Sequence, residues 1–525
     1  MIKTLIKDVA HIILNKDKEK IKDYLSDESN IITGFADEVI FANNEDEVIK
    51  AIIEANSKRK RLTISGAGTG ITGSRVPLGG AVISLENFTR IERIPKENEE
   101  LVIYREFDKE YSIILGKDEK SYYAILPPAI PIRILKKIVE DKGLFYPPDP
   151  TETSSFIGGN VATNASGART FKYGSTRDYV RRLRIVLPFG DILDVERGRY
   201  FFVDRKLTLE TSQGKIELEL PSYNMPPVEK NAAGYYVKDN MDLIDLFIGS
   251  EGTLGVFTEI EVKLIKKPSF ISAVFAYFEI EDKAIDFAKK VRREAKNSRI
   301  DVLAIEFFDS NSLSFIRDKY GNRIPKNANA LIDLEIEGDN EEDLEKNFEK
   351  ILEISDEYGG EAYIIDVSEA KEIRHSLPAG VNNYVRIHGT KKVATDIAVP
   401  EENFDKMYKF YHEVGINSGI KYVLFGHIGN FHLHFNFLPR NQDELTRAEK
   451  YIVSLWKKAI ELNGTVSAEH GVGKKYYVEN SSKKPLISLM YDKNTILNFA
   501  NLKKKLDPNL ILNIGNIIPE EYFNL

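Results

Sequence analysis

The feature that most constrains the fold is a glycine-rich segment near the N-terminus, Gly68-Thr69-Gly70-Ile71-Thr72-Gly73. Its spacing matches G-x-G-x-x-G, which in dinucleotide-binding folds is followed by a helix whose N-terminus meets the pyrophosphate. Here a proline and two glycines follow within Arg75–Gly80, and then a strand-like run at Ala81–Leu85. This order leaves no room for the helix and excludes a Rossmann fold. A loop of successive backbone N–H groups that holds phosphate remains open, and a plain tight turn is the alternative.

A second segment, Ile157–Gly167, carries almost no bulky side chains. Small residues let a planar ligand or a pyrophosphate approach the main chain closely. Asn160, Thr163 and Asn164 offer amide and hydroxyl groups to its polar edges. Because apolar residues are interleaved, a flexible linker fits this segment poorly, and we interpret it as part of a cofactor site.

Composition excludes several classes of protein. A chain of 525 residues is expected to form two domains or more. Its net charge of −8 leaves no basic excess to neutralise phosphates, which argues against nucleic acid as the main partner. The absence of cysteine excludes disulfides, thiolate metal sites, cysteine-ligated iron–sulfur clusters and a cysteinyl flavin link. With no run of 18 apolar residues, no membrane span is expected. We expect a cytoplasmic protein and leave peripheral attachment to the inner face of the membrane open.

The pattern along the chain predicts three parts. Apolar residues recur at helical spacing in the first twenty residues, so we expect an N-terminal helical segment over residues 1–35. Residues 36–268 mix strands, helices and glycine-rich loops, with a charged excursion at about 96–120 that resembles an insertion. Beyond Lys267-Pro268, strands alternate with charged helices, which predicts an α+β domain over 269–525.

Histidine is concentrated near the C-terminus, where seven of the eight follow residue 374. Imidazole and carboxylate together suit zinc, manganese or iron(II), and two histidines with one carboxylate leave positions open for a substrate. Positions 427 and 434 have opposite parity, so we expect a bend near Gly429 if both face one site. His432 shares the parity of His434, which makes these two a rival pair. The other histidines of this region are interpreted as structural residues: His375, His388 and His412.

These segments together resemble a known family, from about residue 30 to the end of the chain. The part that resembles the FAD-binding domain of vanillyl-alcohol-oxidase type comprises Ser65–Gly70, Tyr146–Pro150, Ile157–Gly167, Lys172–Gly174 and Gly249–Gly255. With Gly426–His434 and Glu469–Gly471 added, the whole resembles FAD-linked D-2-hydroxyacid dehydrogenases such as D-lactate dehydrogenase, the glycolate oxidase FAD subunit and D-2-hydroxyglutarate dehydrogenase. The resemblance implies an α+β protein with a two-subdomain FAD-binding domain. A substrate- and metal-binding cap with an antiparallel sheet follows, and its C-terminal helices return to the first domain.

The resemblance also implies roles for individual residues. FAD is expected to be non-covalent, because the only histidine before residue 375 is His11, outside every motif. His427, His434 and Glu469 are the implied metal ligands, with His470 as base. Arg374 is implied to bind the substrate carboxylate, and Asn436 to contact the substrate. The residues implied to bind FAD are Ser65, Gly66, Ala67, Gly68, Thr69, Gly70, Ile71, Thr72, Pro148, Asp149, Gly158, Gly159, Asn164, Gly167, Glu251, Gly252, Val256 and Asn513.

The reaction implied is oxidation of a D-2-hydroxyacid, of the D-lactate or glycolate type, to the 2-oxoacid. A hydride passes to flavin N5, and a divalent metal polarises the hydroxyl; zinc is expected, with manganese or iron as alternatives. A separate acceptor then takes the electrons: a quinone, a cytochrome, an electron-transfer flavoprotein or an iron–sulfur subunit. A homodimer is left open.

Three alternative functions stay open. Two share the fold, namely a flavin oxidase and an ether-lipid synthase. The third is a catalytically silent FAD-binding or electron-transfer subunit. It is motivated by Phe431 and His432, which depart from the family's Gly-Asp-Gly-Asn-x-His.

Overall fold

The computed structural model describes residues 13–15 and 18–523. The predicted N-terminal helix falls largely on residues 1–12, which lie outside the described residues. Ile13–Asn15 forms a strand instead, because it pairs antiparallel with Glu38–Phe41. The helices are Lys18–Ile21, Glu45–Ser57, Ile132–Glu140, Ile157–Thr163, Thr170–Tyr173, Leu243–Phe247, Glu281–Lys296, Ser310–Tyr320, Glu341–Glu357, Val367–Ile387, Phe404–Ser418, Gln442–Glu461, Ile487–Met490 and Lys493–Leu506.

A small mixed sheet carries the first glycine-rich segment. Its strands, in spatial order, are Ile13–Asn15, Glu38–Phe41, Ala81–Ser84 and Leu62–Ser65. The last three run parallel. Helix Glu45–Ser57 is capped at its N-terminus by Asn44, whose side chain accepts the N–H of Glu47 at 2.9 Å. Turns and bends, and no helix, connect residue 65 to residue 80, so the exclusion of a Rossmann fold is confirmed.

An antiparallel sheet of seven strands forms the second part of this half. In spatial order its main path is Ile192–Glu196, Val180–Val186, Val256–Lys266, Tyr122–Leu126, Lys109–Lys117 and Glu99–Glu106, with Leu144–Phe145 paired to the third. The charged segment 96–120 is therefore a regular hairpin at the sheet edge, with residues 111–116 buried in its second strand. A separate hairpin is formed by Lys206–Thr211 and Gly214–Glu219.

An antiparallel sheet of eight strands dominates the second half. In spatial order its main path is Gly360–Ile365, Phe270–Phe278, Ala330–Gly338, Val302–Phe308, Tyr422–Gly426, His432–Phe437 and Val393–Ala394, with Ile397–Ala398 also paired to His432–Phe437. Only residues 267–269 separate its strand Phe270–Phe278 from the preceding sheet. A further hairpin comprises Tyr476–Glu479 and Ser482–Pro485.

The eight-stranded sheet is buried on both faces. Strand Phe270–Phe278 alternates between two hydrophobic clusters, as the period of two in a strand requires. One face packs against helices Glu281–Lys296 and Glu341–Glu357, and the other against Ser310–Tyr320 and Val367–Ile387. The second face is the one that positions the site described below.

The C-terminal segment returns to the small mixed sheet. Leu512 bridges to Leu62, and the side chain of Asn513 accepts the N–H of Ile64 at 2.7 Å. Among the described residues, no helix is long and apolar enough to cross a membrane.

Candidate functional site

A bend between two strands brings three histidines together. Strand Tyr422–Gly426 ends just before His427, residues 428–430 form a short turn, and Phe431 adopts a left-handed conformation with φ +52°. Strand His432–Phe437 then begins. The predicted bend near Gly429 is thereby confirmed, and the opposite parity of positions 427 and 434 does not separate them.

The three imidazoles and Glu469 form one cluster. One ligand atom from each of His427, His432, His434 and Glu469 lies within 4.8 Å of all the others. Nε2 of His427 and Nε2 of His434 lie 3.3 Å and 3.4 Å from Oε1 of Glu469. Nδ1 of His432 lies 3.9 Å from Oε2 of Glu469. The rival pair, His432 and His434, therefore joins His427 rather than replacing it.

Two further carboxylates orient these rings. Glu306 contacts Nδ1 of His427 at 2.7 Å, and Asp396 contacts Nε2 of His432 at 2.8 Å. The opposite nitrogen of each ring faces the cluster, as in metal sites where a carboxylate fixes a ligating imidazole. Burial opposes protonation of His427, but Glu306 prevails and raises its pKa to about 9. Burial lowers the pKa of His432 to about 3.

The cluster fits a divalent cation. Nδ1 of His432 is buried and has no hydrogen-bond partner among the described residues. Such an orphaned nitrogen calls for a ligand, because buried polar groups in native proteins are nearly always paired. Three imidazoles and one carboxylate are donors that suit zinc, manganese or iron(II). His427, His434 and Glu469 would hold the ion, together with His432.

The two oxygens of Glu469 have different partners. Oε1 faces His427 and His434, whereas Oε2 accepts Ser166 Oγ at 2.9 Å and Lys230 Nζ at 3.0 Å. Burial works against ionisation of this carboxyl. Lys230, and then His427, nevertheless hold the pKa of Glu469 well below its usual range. The carboxylate is therefore ionised and ready to bind a cation.

His470 lies at the edge of the cluster. Its Nδ1 is 3.1 Å from Oδ2 of Asp396, and its Nε2 is 3.5 Å from Oε1 of Glu469. The same Asp396 oxygen accepts the backbone N–H of His470 at 2.9 Å. The side chain keeps 29% of its surface exposed, against 14% for His434 and 8% for His427, so His470 is the most solvent-exposed histidine of this group.

A cavity of about 120 Å³ adjoins the cluster, and Arg374 lines it together with Glu306, His427 and His434. Arg374 extends from helix Val367–Ile387 to two carboxylates on the second face of the sheet. Its distances are 3.3 Å to Asp333 Oδ2 and 2.9 Å to Glu335 Oε1. The predicted substrate residue Asn436 does not line this cavity; it is buried, and its amide donates to the carbonyl of His434 at 3.4 Å.

The charge around Arg374 is only partly compensated. Burial raises the pKa of Asp333 to about 7, against the attraction of Arg374. Burial likewise opposes ionisation of Glu335, but Arg169 and Arg374 lower its pKa to about 2. Glu335 is shared with Arg169 at 2.6 Å. Near pH 7, Arg374 therefore retains positive charge for an anion in the cavity.

A second cavity, of about 170 Å³, lies between the two glycine-rich segments. The predicted residues that line it are Gly66, Ala67, Gly68, Thr69, Gly70, Gly158, Gly159, Glu251, Gly252, Val256 and Asn513. The predicted residues that do not line it are Ser65, Ile71, Thr72, Pro148, Asp149, Asn164 and Gly167. Of these, Asp149 lines the smaller cavity, and Asn164 accepts the N–H of Arg177 at 2.9 Å.

This second cavity offers unpaired donors to a ligand. Within the described part of the chain, none of the backbone N–H groups from Gly66 to Gly70 donates a hydrogen bond. The buried side-chain NH₂ of Asn160 also lacks a partner there. A Cβ on Gly159 would meet no protein atom within 4 Å, so the space beside it is open. Consecutive free amides and open space fit a pyrophosphate-containing cofactor.

Comparison with known proteins agrees with this geometry. Residues 36–196 match the FAD binding domain, and residues 267–517 match the C-terminal domain of FAD linked oxidases. The glycolate oxidase subunit GlcD of Bacillus subtilis (strain 168) is 30% identical over 92% of this chain and 89% of its own length. The chain belongs to the family of FAD-linked D-2-hydroxyacid dehydrogenases.

Other members and solved structures are also similar. D-lactate dehydrogenase of Anaerostipes hadrus is 27% identical over 94% of this chain and 92% of its own length. D-2-hydroxyglutarate dehydrogenase of Stutzerimonas stutzeri (strain A1501) is 27% identical over 91% and 90%. A solved structure of alkyldihydroxyacetonephosphate synthase has a TM-score of 0.63 and 16% identity, covering 95% of this chain and 81% of its own. The predicted fold class is confirmed.

Several residues of the site were not predicted from the sequence. Glu306 and Lys230 carry no local motif and reach the cluster only through the fold. Arg75 lines the larger cavity, with its guanidinium donating to the carbonyl of Asp23 at 2.7 Å. Its position directly after the glycine-rich segment was the available signal, since a cation there suits a pyrophosphate.

Proposed function

We propose that this enzyme oxidises a D-2-hydroxyacid of the D-lactate or glycolate type to the 2-oxoacid, using FAD and a divalent cation. FAD, when bound, supplies the acceptor for the hydride of the substrate carbon. A cation held by His427, His434, Glu469 and His432 would lower the pKa of the substrate hydroxyl. Zinc is the ion we propose, because nitrogen donors outnumber oxygen donors in the cluster.

Arg374 is proposed to bind the substrate carboxylate. It lines the same small cavity as His427 and His434, so a carboxylate at the guanidinium places the neighbouring hydroxyl beside the imidazoles. A guanidinium fork matches a carboxylate in two parallel hydrogen bonds. This shared cavity is the single observation that carries the proposal, since 2-hydroxyacids bear the two groups on adjacent carbons.

His470 is proposed to accept the hydroxyl proton. Its Nδ1 lies 3.1 Å from Oδ2 of Asp396, whose negative charge would stabilise the imidazolium that forms. Its Nε2 points toward the cluster, 3.5 Å from Oε1 of Glu469. Because His470 is more exposed than the other three imidazoles, the proton it accepts can pass to solvent.

The electrons then leave for a separate acceptor. The chain contains no cysteine, so any iron–sulfur relay must belong to another protein. A quinone, a cytochrome or an electron-transfer flavoprotein are the other classes of acceptor that we propose to test.

Anaerobic reduction of the bound flavin tests the proposal. The chelated enzyme and the zinc-reloaded enzyme are mixed separately with D-lactate, glycolate, D-2-hydroxyglutarate and L-lactate, and loss of the visible flavin absorbance is followed. We expect rapid bleaching by one of the D-acids or glycolate only in the reloaded enzyme. His470→Asn should slow this bleaching by about 10²–10⁴-fold.

Other outcomes identify the alternatives. Flavin that no hydroxyacid reduces, with metal present, would contradict the proposal and favour a silent FAD-binding subunit. Fast reoxidation by oxygen after reduction would assign the enzyme as an oxidase. Equal bleaching with and without metal would show that the cation takes no part in the reaction.

A further inference from the structure

A third cavity of about 110 Å³ lies away from both cavities described above and shares no lining residue with them. Its walls come from the segment Lys391–Ala394, helix Gln442–Glu461 and the start of strand Tyr476–Glu479. Two of these segments are close in sequence to residues of the candidate active site. Ala394 stands two residues before Asp396, and Lys475 stands five residues after His470.

Two lysines line this cavity without an acidic partner among the described residues. Neither Lys392 nor Lys475 forms an ion pair or a side-chain hydrogen bond with any described residue. The acidic residue among the described lining residues, Glu449, is 3.5 Å from Lys391 and is thereby paired. Burial lowers the pKa of both ammonium groups, and repulsion from Lys475 lowers that of Lys392 further.

More distant carboxylates do not satisfy these lysines. Asp27, Glu251 and Asp396 attract Lys475 at longer range, but each is already hydrogen-bonded elsewhere. Asp27 accepts the N–H of Gly73 at 2.6 Å, and Glu251 accepts that of Val472 at 2.8 Å. Both lysines are partly buried, and unpaired charge that is withdrawn from water is costly, so a ligand that neutralises both ammonium groups would stabilise this region.

An indole adds a third donor. Trp456 lines the same cavity with 7% of its surface exposed, and its Nε1–H is buried without an acceptor among the described residues. An indole nitrogen and an ammonium group can only donate hydrogen bonds. These three groups can only donate hydrogen bonds, so they favour a ligand whose atoms are hydrogen-bond acceptors.

We propose that Lys392, Lys475 and Trp456 form a binding site for a phosphate-type dianion, separate from the substrate cavity. Two negative charges match the two ammonium groups, and the oxygens of a phosphate accept hydrogen bonds from all three donors at once. A cavity of about 110 Å³ holds one such group and little more. The group is supplied either by free inorganic phosphate or by a phosphate monoester whose organic part extends to solvent.

The chain contains one tryptophan, so its fluorescence reports on this cavity directly. The FAD-loaded enzyme is titrated with inorganic phosphate, sulfate or glycerol phosphate at constant ionic strength set by chloride, because screening alone alters surface charge. We expect a saturable change in Trp456 emission. Lys392→Gln and Lys475→Gln should each weaken binding by about tenfold or more, as expected when one charge-assisted contact is lost.

The matched control is Lys450→Gln, an exposed lysine on the same helix as Trp456. It should bind phosphate as the unchanged enzyme does. Calorimetric titration of Trp456→Phe, which keeps the ring packing and removes the N–H donor, should also show weaker binding. This variant serves as a second test if either lysine variant fails to fold.

The three anions distinguish the source of the ligand. Binding of phosphate and sulfate indicates a free oxyanion, and selective binding of glycerol phosphate indicates a monoester. The proposal is overturned if none of the three gives saturable binding by fluorescence and calorimetry. It is equally overturned if both lysine variants and Trp456→Phe bind undiminished, or if Lys450→Gln loses binding to the same extent.

Discussion

The ammonium of Lys230 lies 3.0 Å from Oε2 of Glu469, the carboxylate oxygen that accepts Ser166 as well. Lys230 also donates to the carbonyl of Gly167 at 3.0 Å, and 1% of its side chain is exposed. Because Oε1 of the same carboxylate faces His427 and His434, Glu469 stands between two positions for positive charge. Lys230 occupies one of them, and the other is the proposed metal site.

Replacing Lys230 with methionine should therefore affect the metal-free enzyme more than the loaded one. Removing one partner of a buried ion pair costs up to about 3–5 kcal/mol. In the metal-free enzyme the cationic partner that Glu469 keeps is the protonated ring of His427, whose charge Glu306 shares. We expect a loss of up to this size in the free energy of unfolding after chelation, and a smaller loss with zinc present. Denaturant unfolding of both forms measures this difference. An equal loss in the two forms would show that Lys230 and the metal do not share Glu469.

The carboxylate of Glu306 holds Nδ1 of His427 at 2.7 Å, so Glu306→Gln should weaken metal binding without removing a ligand. Losing such an orienting carboxylate typically costs about 10–100-fold in metal affinity. Competition with a chelator of known affinity measures the change, and it needs no catalytic turnover. Glu372→Gln, at an exposed carboxylate on helix Val367–Ile387, is the control and should bind metal normally. Unchanged affinity in Glu306→Gln would contradict the role given to His427.

Sequence patterns predict several regular elements of the second half, among them a helix over residues 281–296 and a strand over 330–337, because apolar spacing and charge pattern indicate the same element there. Helix Glu281–Lys296 has the predicted bounds, and strand Ala330–Gly338 differs from its prediction by one residue. Helix Ile157–Thr163 was not predicted, since Gly158 and Gly159 are poor helix formers. Tertiary contacts override this propensity: the carbonyl of Pro128 accepts the N–H of Gly158 at 2.9 Å, which holds the first turn.

The grouping of histidines with Glu469 was easier to predict than the lining of the cavity beside it, for a physical reason. His427, His434 and Glu469 lie in motifs, and only their parity required a bend. Asp333 and Glu335 instead alternate with apolar residues along one strand, a pattern typical of a face exposed to water. Each is only 1% exposed, because helix Val367–Ile387 covers that face and presents Arg374. Nothing in the sequence of the strand indicates that a helix packs over this face.

Gly159 should be required for the cofactor and not for the fold. A Cβ at this position would meet no protein atom within 4 Å, and the residue lines the larger cavity. Gly159→Val should therefore leave the thermal unfolding of the cofactor-free protein nearly unchanged and reduce its FAD content after reconstitution by about tenfold or more. Gly158 offers the contrast, since a Cβ there lies 3.0 Å from the carbonyl oxygen of Pro128. Full FAD content in Gly159→Val would place the cofactor elsewhere.

The pairing of Asp333 with Arg374 predicts how substrate binding depends on pH. Burial raises the pKa of Asp333 to about 7, so this carboxyl is largely protonated below pH 7 and leaves Arg374 free to attract the substrate carboxylate. As pH rises through 7, ionised Asp333, 3.3 Å from the guanidinium, competes with the substrate. The KM for the hydroxyacid should therefore rise severalfold between pH 6 and about 8.

Asp333→Asn separates this effect from the other pH-dependent steps of the reaction. The amide cannot ionise, so KM should stay low and flat over the same range, while the pH dependence of kcat follows the unchanged enzyme. The pH dependence of the free energy of unfolding gives a second test, with a defined direction. Because the folded-state pKa of Asp333 is raised, the protonated form stabilises the fold, and this contribution is lost as pH rises toward 7. The free energy of unfolding should therefore fall less for Asp333→Asn than for the unchanged enzyme as pH rises toward 7. An equal fall in the two proteins would contradict the raised pKa of Asp333.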